Sequence, residues 1–187
     1  NAGVFDAQGT ERIISTNDQN GTTVETTAAS AEALFMYPSV YVEASFGVLS
    51  IGVDYIPVGV ETEAAARTDY NLSTVTNTAK AEIKDHITAY ASLKSDVGVY
   101  AKLGISNMTV VSLENLGTGS VYGNTQTVGG HIGVGYQHDL PDMFVRAELG
   151  YSVYEEIKLD NSVSANTNII NVDIEGHTAK ISVGKTF

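Results

Sequence analysis

Residues 97–105 read VGVYAKLGI and alternate two kinds of side chain without a break. Successive residues of a β-strand point to opposite faces, so this stretch predicts a strand with one aliphatic face. The aliphatic face holds Val97, Val99, Ala101, Leu103 and Ile105. The opposite face holds Gly98, Tyr100, Lys102 and Gly104. Such a strand separates an apolar environment from a polar one.

Alternation with the same period recurs along the chain in stretches bounded by Gly, Asn, Asp, Ser or Pro, whereas helical periodicity is scarce. The pattern predicts eight strands, at residues 1–14, 33–46, 48–60, 78–92, 96–113, 122–138, 142–158 and 168–187. Tight turns alternate with long connections at residues 15–32, 59–77, 114–121 and 159–167. We therefore predict an all-β fold, a single domain over residues 1–187. Its antiparallel strands run up and down, and every long loop lies at one end.

The composition excludes several classes of protein. Ten basic and 22 acidic residues give a net charge of -12, which argues against nucleic acid as a partner because phosphate neutralisation needs clustered Lys and Arg. Cysteine is absent, so disulfides and thiolate metal sites are excluded. No apolar run approaches the roughly 20 residues of a transmembrane helix.

The sequence leaves two placements of the aliphatic face to be weighed. The aliphatic face would form the core of a soluble sandwich or lipocalin-like barrel, whereas in a membrane-spanning barrel the same face would contact lipid. The aliphatic band covers about nine to eleven residues per strand, which is the length that a tilted strand needs to cross a bilayer. Beyond it the same face becomes polar, as at Asn107 and Thr109. This common limit favours a transmembrane β-barrel.

Aromatic residues on the aliphatic face fall into two groups. Phe46, Tyr136 and Phe187 lie near the tight-turn end, and Tyr55 and Tyr151 lie about nine residues further along. Membrane barrels carry aromatic girdles at both interfaces with water. The spacing predicts two such girdles here.

The polar faces of the strands carry equal numbers of acidic and basic side chains. The acidic set is Glu43, Asp54, Glu82 and Glu148, and the basic set is Lys84, Lys102, Arg146 and Lys180. In a membrane barrel these residues predict an interior crossed by ion pairs. On a soluble barrel they would form a solvated exterior.

Two stretches break the regular alternation. Asp85 falls on the lipid face of the fourth strand unless it lies near the outer interface or the strand contains a bulge. In the last strand, Ile170, Val172 and Ile174 are out of phase with Ile181 and Val183, which predicts an irregularity near Gly176.

The chain resembles small bacterial outer-membrane β-barrels of the OmpA and OmpX type, and as an architecture the likeness covers essentially its whole length. Members of that family usually end in an aromatic residue preceded by alternating apolar residues, a signal read by the barrel-assembly machinery. Phe187, Val183 and Ile181 fit this pattern, while Lys185 stands where an apolar or aromatic residue is usual. The resemblance implies the bacterial outer membrane as location, with Phe187 at the periplasmic interface.

The sequence contains no motif that we assign to catalysis, a cofactor or a metal. His86 and His131 point to the polar side of their strands, but no HExxH spacing links them and no GxSxG motif occurs. We expect a non-enzymatic outer-membrane protein with a structural role in the envelope and surface loops for adhesion or other extracellular contacts, phage attachment included. Membrane lipid and lipopolysaccharide are the expected partners. The alternatives are a narrow ion or solute channel past Lys102, Arg146 and Glu148, and a soluble lipocalin-like binder of an apolar ligand.

Overall fold

The computed structural model of the chain describes residues 1–17, 21–62, 65–69, 75–115, 122–160 and 167–186. Its strands are β1 (Ala2–Asn17), β2 (Gly21–Met36), β3 (Val40–Phe46), β4 (Leu49–Ile56), β5 (Val60–Glu61), β6 (Ala65–Asp69), β7 (Val75–Lys94), β8 (Val99–Asn115), β9 (Thr125–Asp139), β10 (Met143–Tyr154), β11 (Ile157–Asp160) and β12 (Thr167–Lys185). They form one sheet, in which the paired strands are antiparallel. Within the described residues, no helix is long and apolar enough to span a bilayer.

These strands amount to eight passes of the chain. β4, β5 and β6 pair in succession along β7 and form one pass, and β10 and β11 likewise pair along β12. β2 and β3 are separated only by residues 37–39 and form the second pass. Each pass pairs with the passes before and after it in the chain. The predicted eight-stranded antiparallel up-and-down fold is confirmed.

The sheet rolls up because the first pass pairs with the last. The β1–β12 ladder runs from Ala2 opposite Ala179 to Ile14 opposite Thr167. β2 pairs with β1 and β3 pairs with β4, so the two parts of the second pass are the two edge strands of the sheet. The ladder is interrupted between β2 and β3. There the Tyr37 amide donates to the Asn1 carbonyl at 3.0 Å, and Asn1 Nδ2 donates to Ser39 Oγ at 2.9 Å.

Two of the predicted loops contain additional strand. Residues 15–32 were expected to form a long loop, but β1 continues to Asn17 and β2 begins at Gly21. The segment 22–27 reads TTVETT and is rich in β-branched residues, which favour strands although they are polar enough to resemble a loop. The expected loop at 59–77 likewise contains β5, β6 and the start of β7.

The aliphatic faces of the strands point outward. Leu103 is 68% exposed and Ile181 is 77% exposed, whereas Lys102 and Arg146 are each 6% exposed. A soluble lipocalin-like barrel requires the opposite arrangement, so the structure contradicts that alternative.

A bulge in β7 lies at the position where the sequence pattern fails. The register with β8 shifts between Lys84 and Ile87, and Asp85 has a φ of 52°. One extra residue reverses the two faces of a strand. Ile83 is therefore buried on the side of the bulge nearer the long connections, whereas Thr88 and Tyr90 are buried on the side nearer the tight turns.

The irregularity predicted near Gly176 is wrong. β12 is continuous, and its even-numbered residues stay on the inner side from Val172 and Ile174 to Lys180 and Ser182. The backbone phase does not change. Instead, the interior changes from polar near the tight turns to apolar near the long connections, and this change shifts the hydrophobic pattern.

Candidate functional site

The interior near the tight-turn end is built around Arg146 of β10. Its Nη1 donates to Oε2 and its Nη2 donates to Oε1 of Glu43 on β3, both at 3.1 Å. Arg146 Nε also donates to Gln137 Oε1 at 3.0 Å. Since β3 and β10 are not neighbours in the sheet, this two-pronged ion pair crosses the barrel.

A second ion pair lies beside the first. Lys102 Nζ on β8 donates to Glu148 Oε1 on β10 at 2.7 Å, and the Tyr100 hydroxyl donates to Glu148 Oε2 at 2.6 Å. The Lys102 ammonium also lies 4.4 Å from the centre of the Tyr90 ring. With its carboxylate hydrogen-bonded by two donors, Glu148 is compensated despite its burial.

A third ion pair joins Lys180 of β12 to Asp54 of β4. Aromatic rings fill the remaining space around the cations: the Arg146 guanidinium carbon lies 4.9 Å from the centre of the Tyr100 ring and 5.0 Å from that of Phe144. A cavity of about 50 Å³ lies alongside, with Asp54, Lys102, Glu148 and Lys180 among its lining residues. Six of the eight residues expected in the interior network are thus brought together.

Glu82 and Lys84 were expected in the same network, and this expectation is wrong. They pair with each other, Lys84 Nζ to Glu82 Oε2 at 2.8 Å, but Lys84 is 44% exposed. The physical reason is the bulge at Asp85, which turns Ile83 into the interior and its two neighbours outward.

The aromatic residues assigned to the girdles lie on the outer face. Phe46, Tyr55 and Tyr136 are exposed, and the Tyr151 hydroxyl donates to Glu175 Oε2 at 2.8 Å while its ring lies 4.9 Å from His177. Tyr55 is six residues along β4 from Leu49, the partner of Phe46. That separation is shorter than the nine residues expected, and the role of these residues as girdles remains a prediction.

The structure describes only two of the three residues of the expected assembly signal. Ile181 and Val183 lie exposed on the outer face of β12, while Phe187 lies outside the described residues. Their recognition by an assembly machinery remains a prediction.

The tight-turn end carries a further ion pair, between Lys94 Nζ and Asp139 Oδ2 at 2.6 Å. Hydrogen bonds from Lys94 and then Gln137 hold the pKa of the Asp139 carboxyl below its ordinary value. This exposed pair contrasts with the buried pairs above it.

Sequence reasoning missed an apolar layer in the interior, nearer the long connections. Its buried members are Ile83, Met108, Val110, Tyr154, Ile157 and Ile174. A hydrogen bond of 2.8 Å between Tyr154 and His86 lies at its boundary with the polar layer. The signal was present in Ile170, Val172 and Ile174, which keep the phase of Lys180, but it was interpreted as a backbone irregularity.

The outer face has its own polar limit on three neighbouring strands. Asp6 of β1 lies opposite Glu32 of β2 and opposite Glu175 of β12. On the tight-turn side of this row, after His177, the outward residues of β12 are apolar at Ala179, Ile181 and Val183. The row therefore marks where the aliphatic band ends.

Comparison with known proteins gives remote structural likenesses. Neither a protein-family model nor a curated protein matches the sequence. The crystal structure of Neisserial surface protein A is 16% identical, with 94% of this chain and 97% of that chain covered and a TM-score of 0.38. Ail, the attachment invasion locus protein of Yersinia pestis, is 10% identical, with coverage of 100% and 98% and a TM-score of 0.34. The structure of Ail in complex with the heparin analogue sucrose octasulfate is 12% identical, with 100% of this chain and 97% of that chain covered and a TM-score of 0.33.

Proposed function

We propose that this chain is an integral β-barrel of the bacterial outer membrane that stabilises the envelope and presents its long loops for contacts outside the cell. It acts without catalysing a reaction. The observation that carries the proposal is the inverted polarity of the barrel, whose aliphatic faces are exposed while Lys102, Arg146 and Glu148 are buried.

The outer surface supports a lipid environment. Soluble monomers rarely expose contiguous apolar patches of more than a few hundred Å². Here exposed aliphatic side chains lie opposite one another on adjacent strands, as Leu103 and Ile132 do on β8 and β9, and Val134 and Leu149 on β9 and β10. In a bilayer these side chains meet acyl chains, and membrane lipid and lipopolysaccharide are the lateral partners of the protein.

The ion pairs that cross the interior support a structural role over a transport role. Eight strands enclose an interior just wide enough for side chains, and here three ion pairs and aromatic rings occupy it. A narrow channel past Lys102, Arg146 and Glu148 is less well supported because these groups bond to partners inside the barrel.

The loop contacts follow from the topology. In outer-membrane barrels short turns face the periplasm and long loops face outward. The end of the barrel at which β8 ends with Asn115 and β12 begins with Thr167 is then presented to the exterior, where adhesion to a surface or attachment of a phage takes place. Biogenesis passes through the barrel-assembly machinery, which reads the end of the last strand.

Fractionation of expressing cells tests the location. We expect the protein in the outer-membrane fraction, and in gels we expect unheated and boiled samples to migrate differently because closed barrels keep their fold in unheated detergent. Recovery in the soluble periplasm alone would contradict the proposal.

Planar-bilayer recording separates the structural role from the channel. Folded protein reconstituted in the bilayer should produce no discrete current steps. Reproducible steps that disappear in an Arg146→Met and Lys102→Met double variant of verified fold would instead assign conduction to the interior.

A further inference from the structure

An apolar cavity lies inside the barrel, in the half nearer the long connections. Its volume is about 130 Å³. Its lining is almost entirely apolar and consists of Phe5, Ala7, Ala33, Phe35, Thr62, Ala81, Ile83, Val110, Ser112, Gly123, Ile157, Leu159, Val172 and Ile174. None of the buried ion-pairing side chains described above lines it. The cavity is therefore distinct from the polar network.

The bulge in β7 provides one wall of this cavity. Above Asp85 the face of β7 that points inward carries Ala81 and Ile83. Without the extra residue, Glu82 and Lys84 would occupy that face instead. A backbone irregularity with a left-handed residue thus keeps two charges out of an apolar space.

Small side chains leave the space open. Ala7, Ala33 and Ala81 lie on three different passes of the barrel and line the same cavity. At the end near the long connections, a Cβ added to Gly123 would meet no atom within 4 Å. The rings of Phe5 and Phe35, with centres 5.9 Å apart, form part of the opposite wall.

The chemistry of the lining favours an apolar occupant over water. A buried water needs two to four polar partners, whereas apolar cavities of similar size stay dry and accept molecules such as benzene. Of the two hydroxyl side chains in the described lining, that of Thr62 already accepts a hydrogen bond from the Ala81 amide at 2.9 Å.

We propose that this cavity is a binding site for a compact apolar group, a monoaromatic ring or a short alkyl chain, which enters from the end of the long connections. The volume excludes a whole fatty acid, but a chain terminus of a lipid and a free hydrocarbon share the required chemistry. The site goes beyond the proposed function, and it does not depend on the membrane location.

Methyl NMR of the full chain in lipid nanodiscs tests the site with benzene and hexane as probes. Ile83, Ile157 and Ile174 line the cavity, whereas Ile51, Ile105 and Ile181 lie on the outer face. We expect the shifts of the inner methyls to saturate with probe concentration. The outer methyls should respond linearly, as partitioning into lipid requires. Linear responses of both sets, or no response of the inner set, would overturn the proposal.

A matched pair of variants on β7 locates the binding. Ala81→Phe fills the cavity, and Ala89→Phe adds the same ring on the outer face of the same strand. We expect Ala81→Phe to weaken probe binding by about tenfold or more and Ala89→Phe to leave it unchanged. Equal affinity in parent and Ala81→Phe would overturn the proposal. If Ala81→Phe does not fold, Ala33→Leu on β2 makes the same test.

The origin of the occupant is distinguished without added probe. Nuclear Overhauser contacts from lipid acyl protons to the Ile83 methyl, lost in nanodiscs of deuterated lipid, would identify a lipid chain terminus in the site. Saturable probe binding without such contacts would identify free small hydrocarbons.

Discussion

At the scale of single residues, burial decides how much each ion pair matters. The Arg146–Glu43 pair is enclosed between β10 and β3, and the Lys94–Asp139 pair lies exposed near a turn. Removing one partner of a buried pair leaves an uncompensated charge, whereas exposed pairs are screened by water.

Arg146→Met tests this difference. We expect a loss of about 3 to 5 kcal/mol in the free energy of unfolding, because Glu43 is left charged and unpaired. The matched control Lys94→Met should cost less than about 1 kcal/mol. Urea titration in lipid vesicles measures both, and similar losses in the two variants would contradict the assignment of Arg146 to the interior.

Outward residues obey a different rule, which depends on their height along the strand. Leu103 lies within the aliphatic band of β8, and Thr109 lies beyond it on the same face. We expect Leu103→Arg to destabilise the barrel in lipid by about 2 to 4 kcal/mol and Thr109→Arg by about 1 kcal/mol or less. The same urea titration distinguishes them. Equal effects at both positions would place Leu103 outside the membrane.

At the scale of elements, the bulge in β7 sets which residues line the outer half of the interior. Asp85 has a φ of 52°, a conformation that costs most residues about 1 to 2 kcal/mol. This strain persists because the register on both sides of the bulge is fixed by pairing with β8.

Deleting Asp85 should remove the bulge and turn Glu82 and Lys84 toward the apolar layer. We expect a loss of several kcal/mol in stability or failure to assemble, measured by the fraction that migrates as folded protein in unheated gels. Asp85→Gly keeps the extra residue and should remain within about 1 kcal/mol of the parent. A deletion variant as stable as the parent would contradict the role of the bulge.

The elements also explain what sequence could predict. The alternation around Leu103 and Lys102 identified the strands and their faces correctly, because a half-buried strand has a period of two. The misfit of Asp85 pointed to a bulge or to an interface, and the structure contains the bulge.

The errors have a physical origin of their own. Alternation with a period of two shows that the two faces of a strand differ. It does not show how the environment of each face changes from one end of the strand to the other. The interior becomes apolar near Ile174. The pattern alone therefore indicated a backbone irregularity in β12 instead of a change in the surroundings of one face. The faces of Glu82 and Lys84 were wrong because the misfit of Asp85 was compatible with an interface as well as with a bulge, and only a bulge reverses the faces of the residues beyond it.

At the scale of the whole molecule, side-chain pairs connect the parts of the barrel on either side of the interrupted ladder. The second pass changes its hydrogen-bonding partner at residues 37–39. Glu43 beyond this point binds Arg146 of the seventh pass, and Asp54 of the third pass binds Lys180 of the eighth. The polar layer therefore holds the rolled sheet together where backbone pairing is incomplete, and the apolar layer above it contains the cavity.

The aliphatic faces of the strands point outward, and spin labels along β8 measure this orientation. The chain contains no cysteine, so single cysteines can be placed at each position from 99 to 105. In lipid, we expect collision with oxygen to peak at 99, 101, 103 and 105, and labels at 100, 102 and 104 to be shielded from both oxygen and a water-soluble nickel chelate. High nickel access at 100, 102 and 104, with low oxygen access at the odd positions, would contradict it.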